Sequence, residues 1–276
     1  MRAMNKPIVL SIAGYDPSSG AGVTADVKTA AAHGCYATTC ITALTVQTTE
    51  RVFAVEAVRE EIVRDTLYEL VRDLPPAAVR IGMLGQGAVA AVVADFLETV
   101  RPPHVVLDPV LRSSSGAVLL DAKGEEVLRT RLLKLADVIT PNVDETAILC
   151  GLSTLKNDQN HAEITSKMAS WARLLHRLGS RAVVITGGHL NEAADLLSYG
   201  DAEDPQQEWF RAPKIESRST HGTGCAFAMA IACNLAKGRM LREAVREAKA
   251  YVRGAIESAE GLGHGHGPMD HLFRLG

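Results

Sequence analysis

The chain has 276 residues, 47% of them hydrophobic, and a formal net charge of -3. This composition supplies one large core and excludes a general affinity for nucleic acid or anionic membrane. No apolar run approaches the roughly 20 residues of a membrane span. Met1 to Lys6 lead directly into Pro7-Ile8-Val9-Leu10-Ser11-Ile12-Ala13, a run too short for a signal peptide and without a cleavage site. The five cysteines (Cys35, Cys40, Cys150, Cys225, Cys233) are odd in number and form no CxxC pair. They read as reduced thiols of a cytoplasmic protein, not as a disulfide framework or a zinc site.

In chain order, Ile8–Ala13 reads as a strand, Ala21–His33 as a helix and Thr38–Val46 as a strand. Glu60–Asp73 follows as a helix, Ala78–Met83 as a strand, Gly87–Val100 as a helix and His104–Val110 as a strand. Then come helix Gly124–Leu135, strand Asp137–Thr140, helix Ala162–Leu178 and strand Arg181–Thr186. The strands are apolar almost throughout, which predicts burial on both faces. The alternation predicts βαβ units and a three-layer α/β/α fold, its central sheet mainly parallel with helices on both faces. Ala194–Ser198 and Glu208–Ala212 break the rhythm as an antiparallel pair at a sheet edge. Helices Gly222–Lys237 and Leu241–Ala259 follow. The tail, with His264 and His266 among glycines, reads as an exposed flexible segment rather than a metal site. No repeat, low-complexity linker or domain boundary is visible, so residues 1–276 are expected to form one domain.

Thr220-His221-Gly222-Thr223-Gly224-Cys225 opens directly into the small, apolar run Ala226–Ala230. Two glycines let backbone N–H groups face one point, and the helix N-terminus adds partial positive charge. Such a turn suits phosphate oxygens. It also places Cys225 in the first turn, where a thiol pKa is expected to fall. A plain glycine turn with a buried cysteine fits the same residues. Gly20-Ala21-Gly22-Val23-Thr24-Ala25 matches the dinucleotide pattern G-x-G-x-x-A. That pattern expects an acid at the end of the next strand, where Gln47 stands, so a dehydrogenase is disfavoured. Asn142 and Glu145 share a helix face as N-x-x-E, and Asn142 also fits a helix N-cap. No GK followed by Ser or Thr occurs, which excludes a P-loop.

His221-Gly222-Thr223-Gly224-Cys225 resembles the anion-hole signature of ribokinase-like kinases, specifically the hydroxymethylpyrimidine/phosphomethylpyrimidine kinases of thiamine biosynthesis. The resemblance covers nearly the whole chain. It includes Ala13-Gly14-Tyr15-Asp16-Pro17-Ser18-Ser19-Gly20-Ala21-Gly22, Ala25–Thr29, Thr42–Gln47 and Ile81-Gly82-Met83-Leu84. It continues through Val106–Val110, Thr140-Pro141-Asn142-Val143-Asp144-Glu145, Thr186-Gly187-Gly188-His189 and Gly267-Pro268.

The resemblance implies phosphorylation by ATP of 4-amino-5-hydroxymethyl-2-methylpyrimidine and then of its monophosphate, in a homodimer. Cys225 would be the base that accepts the hydroxyl proton, where most of the superfamily carries Asp. Gly222, Thr223 and Gly224 would form the anion hole. Gly14 and Asp26 would surround the pyrimidine, with Asp26 otherwise an ordinary solvated acid. Gln47 would pair its amide with the aminopyrimidine edge, or otherwise cap the strand end. Met83 and Val110 would line the pocket; on composition alone both are core residues. Asn142, Thr186, Gly187, Gly188 and Thr220 would surround ATP. Glu145, through waters, and Asp108 would hold Mg²⁺. Thr186 departs from the family's pattern, since many relatives carry Lys there. The sequence itself does not show which loop closes over the substrate; the Ser/Gly stretch Arg112–Leu119 is a candidate. Two rivals remain at this stage. One is a vitamin B6 kinase, disfavoured by Gln47 and mildly favoured by Thr186. The other is a non-catalytic pyrimidine- or nucleotide-binding regulator, because fold alone never guarantees chemistry.

Overall fold

Strands that are apolar on both faces need helices on both faces, and the chain supplies them. The structure is a computed structural model that describes residues 6–113, 116–153, 161–188, 190 and 192–275. One nine-stranded sheet runs in the order β3-β2-β1-β4-β5-β6-β7-β8-β9. Six strands are mutually parallel: β1 (Ile8–Tyr15), β2 (Tyr36–Gln47), β4 (Ala78–Ile81), β5 (Val105–Leu107), β6 (Val138–Ile139) and β7 (Ala182–Ile185). Antiparallel strands close both edges. β3 (Val52–Ala57) pairs with β2, and the hairpin β8 (Glu192–Tyr199) and β9 (Gln206–Pro213) pairs with β7.

Period-2 alternation divides the core. Leu10, Ile12, Val79, Ile81 and Leu107 face a layer made by α2 (Glu60–Asp73), α3 (Gly87–Val100), α6 (Val143–Leu149) and α7 (His161–Arg177). That layer also holds α4 (Ala122–Val127), a π-helical turn (Leu128–Leu132) and α5 (Leu133–Leu135). Val9, Ala78, Val106 and Val184 face the opposite layer: α1 (Gly22–Ala32), α8 (Thr223–Ala236) and α9 (Leu241–Glu257). The ten residues Ala226–Leu235 of α8 are all buried. A helix that is apolar all round belongs inside, and α8 lies between the sheet and α9.

The expected α/β/α layering is therefore present, with four differences of detail. β3 was not expected, because Phe53, Ala54 and Glu56 leave this short edge strand largely exposed and hide its apolar face. α6 was foreshadowed only by its N-x-x-E start. The expected continuous helix over Gly124–Leu135 is interrupted by the π turn. The tail is held rather than free. His264 and His266 are exposed, but the Gly265 N–H donates to Thr49 Oγ1 at 3.2 Å and Gly267 donates to the Arg218 carbonyl at 3.0 Å. Ser114 and Ser115 of the candidate closing loop, and His189 of the Thr186–His189 motif, lie outside the described residues.

The chain leaves β1 towards β2 on one side and later reaches β4 on the other. Ligands of open α/β sheets bind outside the strand C-termini at such a switch point. Here the switch collects the loops that follow β1, β2, β4, β5, β6 and β7. The packing of α8 beneath them sets a stability expectation. Ile231 is fully buried, so Ile231→Ala should cost about 2–5 kcal/mol in urea unfolding; a loss within about 0.5 kcal/mol would mean the layer is not close-packed.

Candidate active site

The loop after β1 is organised by one carboxylate. Asp16, 3% exposed, accepts the Ser18 N–H and hydroxyl at 2.8 and 2.7 Å and the Ala21 N–H at 2.8 Å. His221 Nε2 lies 2.7 Å from its Oδ2. Burial pushes this carboxyl up, but the bonds from His221 and Ser18 outweigh burial and hold it below the usual range. The His221 contact joins this loop to the turn before α8, and backbone packing completes the joint. Gly222 is the N-cap of α8 at φ 76°, and a Cβ there would sit 1.9 Å from the Gly20 carbonyl oxygen. Only glycine meets both requirements. No side chain caps α8, and of its first-turn amides Thr223 turns back to Thr220 while those of Gly224 and Cys225 lack intrahelical partners. They form an electropositive hole beside an exposed Gly224.

Cys225, at the edge of this hole, sits over a buried charge cluster. Arg80 of β4 has no exposed surface. It donates to Asp26 Oδ2 at 3.0 Å and to Asp108 Oδ2 at 2.5 Å, and Ser11 Oγ also donates to Asp26 Oδ2, at 2.5 Å. The Cys225 thiol lies within electrostatic reach of both Arg80 and Asp108. Its pKa is pushed up to about 11: burial raises it, Arg80 opposes this, and Asp108 and Asp26 add to it. This corrects the expectation of a lowered thiol pKa. The helix terminus is outweighed by burial and two carboxylates. Asp26 is likewise neither solvated nor open to a ligand. It is 0% exposed and reaches the cleft only through Arg80.

Gln47 ends β2 half-buried, its side-chain nitrogen 3.1 Å from His221 Nε2. Gly14 is tight against Met83; a Cβ there would lie 2.9 Å from the Met83 sulfur. Met83 packs with Ala43, Leu119, Val55 and Val110. Gly14, Gln47, Met83 and Val110 thus lie at the ends of, or just after, adjacent strands.

The other half of the cleft is built by β6 and β7. Asn142 caps α6 through a reciprocal capping box, its Oδ1 accepting the Glu145 N–H while Glu145 Oε2 accepts the Asn142 N–H, both at 2.9 Å. Glu145 is pushed up to about 8 by burial and then by the Asp108 charge. Thr186 bridges to Asn142 and donates its N–H to the Pro141 carbonyl at 2.9 Å. The Gly187 N–H is held by buried Asp195 at 3.0 Å, and Asp195 is paired with Lys249 of α9 at 2.7 Å. Nothing would contact a Cβ on Gly188, so that backbone is open. Thr220 accepts the Thr223 N–H at 3.4 Å and starts the turn.

Sequence reasoning missed Asp16, His221, Arg80, Ser11, Asp195 and Lys249. Arg80 carried the clearest available signal: one charge within the apolar run Ala78–Met83 must be paired if that run is a buried strand.

The phosphomethylpyrimidine kinase family model matches residues 16–270. The hydroxymethylpyrimidine/phosphomethylpyrimidine kinase of Aquifex aeolicus is 39% identical over 267 residues, covering 95% of this chain and 99% of that protein. Its counterpart in Streptomyces coelicolor is 41% identical over 271 residues, covering 98% and 96%. The Geobacter sulfurreducens thiamine biosynthesis bifunctional protein is 41% identical over 96% of this chain, which spans only 52% of that longer protein. Among solved structures, the phosphomethylpyrimidine kinase of Clostridium difficile aligns at TM-score 0.77 and 34% identity, over 91% of this chain and all of that one. The ADP complex of Bacillus subtilis pyridoxal kinase aligns at TM-score 0.85 and 30% identity, over 98% of this chain and all of that one. A family model matched over nearly the whole chain and relatives about 40% identical over nearly their full length show that this chain belongs to the phosphomethylpyrimidine kinase family.

Proposed function

We propose that this chain transfers phosphate from ATP to 4-amino-5-hydroxymethyl-2-methylpyrimidine and then to the resulting monophosphate. The observation that carries this reading is the convergence of Gln47, the uncapped N-terminus of α8 and the Cys225 thiol at one switch point. A pyridoxal kinase is the second reading, favoured by the 0.85 TM-score of the Bacillus subtilis structure. Gln47 weighs against it, because an amide matches an aminopyrimidine edge on both its donor and its acceptor.

ATP would lie against Asn142, Thr186, Gly187, Gly188 and Thr220. Asp195 and Lys249 hold the Gly187 turn in place without the lysine that many relatives carry at position 186. No cluster of three or more His, Cys, Asp or Glu placed to hold a metal occurs among the described residues. The residues nevertheless fit magnesium, which keeps several waters and takes few protein carboxylates. Asp108 and Glu145 are near enough for one charge to raise the other's pKa, and a divalent cation relieves that repulsion. When bound it would supply charge neutralisation of the phosphates.

The chain's own steps follow from the geometry. Gln47 and the Met83–Val110 wall hold the pyrimidine with its hydroxymethyl group towards Cys225. The amides of Gly224 and Cys225 stabilise charge on the transferred group. Cys225 rests as a neutral thiol beside the Arg80 charge. In the loaded site the thiol gives its proton to solvent, helped by the Arg80 charge that opposes its rise, and the resulting thiolate takes the hydroxymethyl proton. Phosphoryl transfer through a loose transition state makes a late proton transfer sufficient. In the second step the acceptor is already an anion and needs the thiol less.

The protein would act as a cytoplasmic homodimer in one kinase domain. The exposed Leu44, Val46 and Phe53, 48, 63 and 53% accessible on the β2–β3 edge, support association with a second copy. Sedimentation equilibrium reads this directly, and a monomer at assay concentration would refute it.

The first assay is ATP consumption with the pyrimidine and with pyridoxal, products resolved by mass. Monophosphate followed by diphosphate from the pyrimidine is expected. Turnover of pyridoxal alone would move the reading to the B6 kinase, and turnover of neither to a binding protein. Cys225→Ala should lower kcat in the first step by about 10²–10⁴-fold and the second much less; equal losses would remove Cys225 from the base role. In the free protein, alkylation of Cys225 by iodoacetamide, followed by peptide mass mapping, should keep accelerating as pH rises towards about 11. A plateau near neutral pH would show a pre-formed thiolate instead.

A further inference from the structure

His221 Nε2 stands between two partners, 2.7 Å from Asp16 Oδ2 and 3.1 Å from the Gln47 side chain. An imidazole nitrogen either donates or accepts at a given moment. Asp16 settles which. Its carboxylate is 5% exposed, already accepts from Ser18 and Ala21, and is held ionised below the usual carboxylate range. An ionised carboxylate only accepts, so His221 Nε2 carries the proton. The group that Gln47 turns towards that N–H must then accept too. The oxygen and nitrogen of a glutamine amide are assigned from the hydrogen-bond network rather than from shape. The network here assigns Oε1 to the His221 side, sharing the N–H with Asp16, and leaves the NH₂ on the opposite side.

We propose that Asp16 and His221 are positioning residues that lock the Gln47 amide in one orientation, so that the site distinguishes a 4-aminopyrimidine from its 4-oxo counterpart. The inference rests on the reading of the site as a pyrimidine kinase and deepens it. A 4-aminopyrimidine offers an amine donor at position 4 beside a ring-nitrogen acceptor. The 4-oxo form offers a carbonyl acceptor beside a ring N–H donor. The two edges have the same shape and opposite polarity. A freely rotating amide would turn over and serve both. A locked amide serves one and meets the other with donor facing donor and acceptor facing acceptor. The 4-substituent adjoins the 5-hydroxymethyl group, which must face Cys225, four residues beyond His221 in the chain. The amide oxygen held by His221 is therefore the end that meets the 4-substituent. Its second lone pair accepts from the amine, while the NH₂ donates to the ring nitrogen. Buried polar groups left in mismatch are what make such rejection strong.

The test is the ratio of kcat/KM for 4-amino- and 4-oxo-5-hydroxymethyl-2-methylpyrimidine in the wild type, His221→Phe and Asp16→Asn. The wild type should prefer the amine. His221→Phe keeps a ring but no N–H, and it should shrink the preference by roughly ten- to a hundredfold, the range that a two-point polar match discriminates. Asp16→Asn frees the imidazole tautomer and should shrink it in the same direction. A purely structural role would depress both substrates equally, so an unchanged ratio in both variants would overturn the lock. So would a wild type that does not discriminate. Should the variants bind but not turn over, calorimetric affinities for the two pyrimidines read the same ratio. A wild type that acts on neither pyrimidine would sink the kinase reading itself, and the lock with it. A wild type that acts on the amine, with variants equally selective, would sink the lock alone.

Discussion

Arg80 is a positive charge with no exposed surface, and the site is arranged around the need to pair it. The side chain leaves the middle of the sheet and pairs with Asp26 from α1 and Asp108 from the end of β5, with the Cys225 thiol from α8 within its electrostatic reach. Four elements distant in sequence meet at one guanidinium. Such a cluster is weak evidence for stability, because desolvating the charges offsets much of their attraction. Breaking it is another matter, since removal of the cation would strand two buried carboxylates at a cost of about 3–5 kcal/mol. Its value is in specifying position. The planar fork of arginine reaches two carboxylates at once, which a lysine's point charge does less rigidly.

The second constraint is steric. The loop after β1 and the turn before α8 approach until a Cβ at Gly222 would overlap the Gly20 carbonyl, and a Cβ at Gly20 would lie 2.4 Å from the His221 ring. Asp16 then ties the two loops through His221. The glycines therefore serve the anion hole indirectly. They let the loop after β1 close on the helix N-terminus so that Gln47 and Cys225 face one cleft. The tail joins the same arrangement, because the His221 N–H donates to the Gly267 carbonyl at 3.1 Å.

The layered fold was legible in the sequence because burial on both faces writes itself as near-continuous apolar runs, as in Ala182 to Ile185 and in Val9 to Ala13, which only Ser11 breaks. β3 was not legible, because a half-exposed edge strand mixes apolar and charged positions without a clean period. At the site, the glycines and Cys225 were legible as local motifs. The pairing of Arg80 with Asp26 was not, since the partners are 54 residues apart and Asp26, at a helix start, looks like a surface charge even though Arg80 does not. The same long-range pairing explains the mistaken direction for the thiol. A first-turn cysteine predicts a lowered pKa only while nothing negative stands behind it, and here two carboxylates do.

That arrangement also accounts for a cysteine at position 225. Asp26 and Asp108 already share the one cation, so the cluster carries an excess negative charge before residue 225 is counted. A third carboxylate would add another buried anion with no cation left to meet it, and burying an unpaired charge is costly enough that the group would neutralise itself instead. A thiol avoids the conflict by being neutral at rest, as its rise to about 11 indicates. In the mechanism proposed above, its polarisable sulfur would face the substrate hydroxyl. In that reading the base forms only once the thiol has lost its proton. A loose phosphoryl-transfer transition state, in which the attacking oxygen needs little early activation, tolerates that timing.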